Sequence, residues 1–215
     1  MTQIAAGCRP PITKIDSGAG AAGLVSADGL PRSGVSPNER AVRLGQRGGA
    51  VWLTGRPGSG KSTLAFALER RLFDLGYLPT VLDPDQVGDP DRFEHERAIS
   101  IQGVADTARR FSAAGLVTIA AFATSKRKDR DTARDSVGAD RFFEVFVDTP
   151  ADVCRDRDTR DLYARLDAGR LEVALPEFEP PTAPDLTVSL ESDEVDDIVD
   201  RVIDAMREKG LLIGT

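Results

Sequence analysis

One histidine, one tryptophan, two cysteines, two tyrosines and two methionines are all this 215-residue chain holds of those types. Cys8 and Cys154 lie far apart and match neither metal-ligand nor disulfide spacing, so both are expected as buried or idle thiols in a reducing cytoplasm. The single histidine, His95, is expected on a helix surface. Basic residues are too few for a general nucleic-acid binder: the formal net charge is −7. No apolar run approaches the ~20 residues of a membrane span. The N-terminus has no charged-then-apolar leader, and no internal repeat is visible. What remains is a chain with 40% hydrophobic residues, enough for a buried core.

Residues 1–35 are rich in Gly, Ala, Ser and Pro and are expected as a flexible arm, with one domain over residues 36–215. Ser36 followed by Pro37 predicts the start of a short helix. Strand and helix patterns then alternate. Strands are expected at Ala50–Thr54, Leu78–Asp83, Leu116–Phe122, Phe142–Asp148 and Leu186–Leu190. Helices are expected at Gly60–Leu75, His95–Ala114, Asp129–Val137, Ala151–Arg157, Leu162–Ala168 and Val195–Lys209. This order predicts an α/β fold, a three-layer P-loop NTPase type with a parallel sheet between helices.

"GRPGSGKST", Gly55, Arg56, Pro57, Gly58, Ser59, Gly60, Lys61, Ser62 and Thr63, fits the spacing G-x-x-x-x-G-K-[ST] between strand and helix. Its glycines let backbone N–H groups point at phosphate oxygens, and the helix start adds a positive dipole end. Lys61 is expected on the β/γ-phosphates and Ser62 on Mg²⁺, so ATP and Mg²⁺ are the expected cofactors. "LDPDQV" places Asp83 and Asp85 at a strand end near this cradle. One carboxylate would take a proton from an acceptor hydroxyl, and one would orient Mg²⁺ through water. At the end of the next strand Phe122 is placed to face a base. Thr124, Ser125 and Arg127 follow within reach of a substrate anion, whereas Lys126, Lys128 and Arg130 are expected on a solvated face. Arg157, Arg160 and Arg165 suit a lid that closes over phosphates.

"SPNERAVRLGQRGGAVWLTGRPGSGKSTLAFALERRLFDLGY", "VLDPD", "ARRFSAAGL", "AAFATSKRKDRD", "FFEVFVDTPADVCRDRD" and "LYARLDAG" together resemble adenylyl-sulfate (APS) kinase from about Ser36 to Gly169. The resemblance implies transfer of the ATP γ-phosphate to the 3′-hydroxyl of adenosine 5′-phosphosulfate (APS), in sulfate assimilation. It implies Asp85 as the base, Arg97 and Phe122 beside the substrate, and Arg157 and Asp158 at the start of the lid. Thr124 falls where bacterial members carry a serine sometimes assigned as phosphorylated. As partners it implies a small-molecule substrate, APS or similar, with a homodimer or a sulfate-activating enzyme beside it.

Departures from the family pattern cluster on the acceptor side. The cradle reads Gly-Arg-Pro-Gly-Ser-Gly where the family usually has Gly-Leu-Ser-Gly-Ser-Gly. Pro84, Gln86 and Gly88 stand for Gly, Asn and Arg, and "SIQG" at Ser100–Gly103 for Asn-Ile-Arg-Arg. "EVALP" at Glu172–Pro176 stands for Lys-Asn-Phe-Thr-Gly. Each lost charge-assisted contact would cost ~1.5–3 kcal/mol of binding. Three acceptor assignments therefore stand side by side: APS at a rebuilt site, another small hydroxylated metabolite, or none, in a nucleotide-binding regulatory module.

Overall fold

A computed structural model describes residues 34–83, 101–122, 124–157, 162–168, 177–191 and 193–213. Asp85, His95, Arg97, Asp158 and Arg160 lie outside these described residues, as do Cys8 and most of the expected arm.

The elements are α1 (Pro37–Leu44), β1 (Gly49–Thr54), α2 (Lys61–Asp74), β2 (Pro79–Leu82), α3 (Ile101–Ala114) and β3 (Val117–Ala121). They continue as α4 (Arg127–Val137), β4 (Phe142–Val147), α5 (Ala151–Asp156), α6 (Leu162–Asp167), β5 (Leu186–Val188) and α7 (Val195–Glu208). The five strands form one sheet in the order β2-β3-β1-β4-β5, every pair parallel. The α/β three-layer fold is as expected from the alternation. β1, β3 and β4 are buried along their whole length, as strands covered on both faces must be. Ser36 caps α1 in a full capping box with Glu39, and Pro37 opens the helix. β2 to β5 end one or two residues before the expected runs do, because pairing stops where the chain bends into the loops, whereas β1 starts one residue earlier than expected, at Gly49. α4 starts two residues earlier than expected, at Arg127.

Two apolar layers sandwich the sheet. Leu64, Leu68 and Leu72 of α2 and Ile198, Val202 and Met206 of α7 pack with Val51, Leu53 and Val145 on one face. Val104 and Ala108 of α3 and Ala133 of α4 pack with Trp52, Ala120 and Phe142 on the other. At the amino ends of the strands, buried Gln46 accepts from Leu78 N at 2.7 Å and donates to Gly115 O at 2.6 Å. That leaves the carboxyl ends for function. Among the described residues no helix is long and apolar enough to cross a membrane.

Candidate active site

β1 lies between β3 and β4, so the connections leaving its two neighbours diverge and open a crevice beyond its carboxyl end. The loop 55–60 fills the floor. Gly60 N-caps α2 at φ 97°, with no side-chain cap and no acidic residue in the first turn. The helix therefore presents uncapped N–H groups and its positive end, the electrostatic complement of an anion. Two of the loop's three glycines illustrate its close fit. A Cβ on Gly58 (φ 78°) would stand 2.4 Å from Cys154 O, and one on Gly60 2.4 Å from Leu190 Cδ1.

Lys61, 8% exposed, folds back over this loop. Its Nζ donates to Gly55 O at 3.1 Å and Arg56 O at 2.7 Å, with Ser59 Oγ at 3.5 Å. The ammonium is thus held at the rim of the cradle. Ser62 follows on the first turn of α2, half-buried. Behind the loop, the β4–α5 turn acts as a brace. Thr149 Oγ1 donates to Ser59 O at 2.9 Å, and Cys154 Sγ contacts Thr149 O at 3.5 Å. Tyr163 of α6 donates its hydroxyl to Pro57 O at 2.9 Å, with the Arg155 guanidinium 5.1 Å from its ring centre. Burial pushes the Cys154 thiol pKa up against the pull of Lys61, Arg56 and Arg157, so this cysteine is the inert, packed thiol expected of it. Arg157, at the end of α5, donates to Leu190 O at 2.9 Å, which brings it to the residue that lies against Gly60.

On the α3/α4 side the residues differ more from expectation. Asp83 directly follows β2 and is buried at 1% exposure. The Phe122 ring, expected beside a base, is 9% exposed and stacks on Trp52 with centroids 6.5 Å apart, as part of the α3/α4 core. Thr124 is fully buried; its hydroxyl accepts from Trp52 Nε1 at 3.0 Å. Its carbonyl accepts from Thr54 Oγ1 at 3.3 Å and Arg130 Nη1 at 2.7 Å. Arg127 opens α4, and its Nε donates to Pro180 O at 2.8 Å.

Arg130 corrects the expected solvated face. It is 2% exposed, whereas Lys126 and Lys128 are exposed as expected. Its Nε lies 3.0 Å from Glu144 Oε1, outside hydrogen-bond alignment, and Arg134 Nη2 donates to Glu144 Oε2 at 3.0 Å. Burial lowers the Arg130 pKa and Glu144 opposes that shift. The guanidinium is buried because α4 lies across β4, where Glu144 interrupts the apolar run "FFEVFV". The acid in a strand buried on both faces is the one sequence signal that could have pointed to this pair, and it was not read, although such a charge needs a partner.

Phe178 had no such signal in its Pro- and Glu-rich surroundings. Its ring stacks on Phe146 at 5.8 Å and lies 5.3 Å from the Arg56 guanidinium and 5.7 Å from that of Arg130. Tyr163 and Thr149 were also not legible as supports of the loop, since both act across the fold.

The adenylylsulphate kinase family model matches residues 47–189. The chain is 38% identical over 186 residues to the bifunctional enzyme NodQ of Azospirillum brasilense, covering 82% of this chain and 30% of that one. It is 34% identical over 187 residues to the adenylyl-sulfate kinase of Clostridium acetobutylicum, covering 83% and 92%. The chain thus spans under a third of the bifunctional relative and nearly all of the single-function one. Among solved structures, the Mycobacterium tuberculosis APS kinase CysC in complex with AMPPNP and APS superposes with a TM-score of 0.66 at 31% identity, over 75% of this chain and 99% of that one. A gluconokinase from Sinorhizobium meliloti shares the fold alone, with a TM-score of 0.50 at 17% identity over 77% and 95%. With a glycine cradle, a lysine across its rim and a family match running from β1 to β5, the chain belongs to the adenylylsulphate kinase family.

Proposed function

We propose that this protein is an ATP-dependent kinase that phosphorylates the 3′-hydroxyl of adenosine 5′-phosphosulfate. The observation that carries it is the start of α2. An uncapped, acid-free helix end and Lys61 converge on the pocket floor of a chain whose family is adenylylsulphate kinase.

ATP lays its β- and γ-phosphates over Gly58–Ser62, where backbone N–H groups and Lys61 Nζ replace their water. Lys61 moves from the carbonyls of Gly55 and Arg56 to the phosphate oxygens. The Ser62 hydroxyl, on the first turn beside the cradle, is a hard oxygen suited to Mg²⁺. It is the described side chain that would hold the ion beside the phosphates. When bound, the ion neutralises charge on the transferred group.

The acceptor 3′-oxygen attacks the γ-phosphorus in line. The bond from that phosphorus to the β–γ bridging oxygen breaks, and ADP departs with the electron pair. The hydroxyl proton passes to a carboxylate following β2. We assign this to Asp85, with Asp83 holding the strand end and Arg97 beside the substrate. Arg157, at Leu190, attends the nucleotide. The buried hydroxyl of Thr124 and the stacked ring of Phe122 shape the wall of the acceptor side from behind.

The test is ADP release with ATP, Mg²⁺ and APS, with the product's phosphate located by mass spectrometry. Turnover giving a 3′-phosphorylated product is expected, and Lys61→Ala lowers kcat by about 10²–10³. No ADP release at millimolar APS would remove the assignment.

A further inference from the structure

We infer that Arg56 is a specificity-determining residue for the acceptor, supplying a guanidinium that grips its anionic ester. The inference rests on the acceptor crevice proposed above. The backbone and side chain of Arg56 serve different sides of the loop. Its carbonyl accepts from Lys61 Nζ and from Ser59 N at 3.1 Å, and so belongs to the phosphate cradle. Its guanidinium leans over Phe178, whose other neighbours are Phe146 and Arg130. Arg130 in turn holds Thr124 O, at the end of β3. The side chain therefore lies toward the α3/α4 layer, where β2 and β3 deliver Asp83 and Thr124. Arg157, by contrast, lies toward Leu190, which packs with the α2/α7 layer.

Two further facts make Arg56 more than a surface charge. It is half-buried, yet its guanidinium takes part in no hydrogen bond or ion pair among the described residues. A guanidinium stacked on a ring keeps its edge N–H donors available for a planar, bidentate grip on a sulfate or phosphate. The second fact is the pattern of departures. Arg56 stands where the family resemblance implies leucine, while Gly88, Ser100–Gly103 and Glu172–Pro176 stand where it implies stretches with cations. A cation gained beside a site that has lost several restores the charge that an anionic acceptor needs.

Arg56→Leu, Arg56→Lys and Phe178→Leu test this. Each is titrated with APS and, separately, with a non-hydrolysable ATP analogue by calorimetry; turnover is measured in parallel. Arg56→Leu should weaken APS binding about tenfold to a hundredfold while shifting the ATP analogue less than twofold. Arg56→Lys should recover part of the loss, as a point charge without the fork. Phe178→Leu, which frees the guanidinium without removing it, should give a smaller loss in APS affinity. Thermal melts confirm that each variant is folded. A larger loss for the ATP analogue than for APS would overturn the inference, as would unchanged APS affinity in Arg56→Leu or a wild type that does not bind APS. Wild-type protein that binds APS through Arg56 without turning it over would defeat the proposed reaction and leave this inference standing.

Discussion

The Thr124 hydroxyl accepts the Trp52 indole N–H at 3.0 Å in a position without solvent exposure. A hydroxyl so placed positions the end of β3 and is not offered to a phosphate. Thr124→Val should leave that indole N–H unsatisfied in the core and destabilise the protein by ~1–3 kcal/mol. The kcat with APS should change less than about threefold, and Thr124→Ser should restore the melting temperature. A reacting hydroxyl would instead lose turnover far beyond the stability change. At this scale the cradle was legible, because Gly, Lys and Ser at fixed offsets are demanded by backbone contacts local to the loop. The buried states of Phe122, Thr124 and Arg130 were not. Strand-end exposure depends on what packs above, and here Trp52 and Glu144 come from neighbouring strands.

The return segment before β5 is held to the start of α4 by Glu179. It accepts from Arg127 N and from Lys126 Nζ, both at 3.0 Å. The Arg127 N–H, and then Lys126, lower its pKa below the usual 4.5. A depressed carboxylate pKa stabilises the fold above that usual value, and the contribution is lost as pH falls through the lower folded value. Acid titration should therefore shift the Arg127 amide resonance with a midpoint below 4.5. Glu179→Gln should abolish that transition. An Arg127 midpoint at or above the usual value would show that the contact does not hold α4 to this segment. Helix α1 is the contrasting element: its cap was readable because Ser36, Pro37 and Glu39 act within four residues of one another, whereas the Glu179 contact spans about fifty.

Across the whole molecule, the α3/α4 layer is joined to the sheet by charge as well as by apolar packing. Glu144 receives Arg130 and Arg134 from α4. Asp185 Oδ2 accepts from Glu144 N at 2.7 Å and its Oδ1 from Lys209 Nζ at 2.6 Å. Glu144→Gln should leave the buried Arg130 guanidinium without its counter-charge, a change that costs ~3–5 kcal/mol and lowers Tm by about 6–20 °C. Calorimetric melting measures it, and a drop under about 2 °C would mean that water already screens the pair. By itself the sequence determined the alternation of elements, the parallel sheet between two helix layers and the glycine-rich loop that joins β1 to α2. All three follow from periodicity and spacing over a few residues. Tertiary structure alone decided which charges are buried, that Tyr163 and Thr149 brace the loop, and that Arg56 meets Phe178. Those contacts join residues tens to more than a hundred positions apart, and only the packing of the layers brings them within reach of one another.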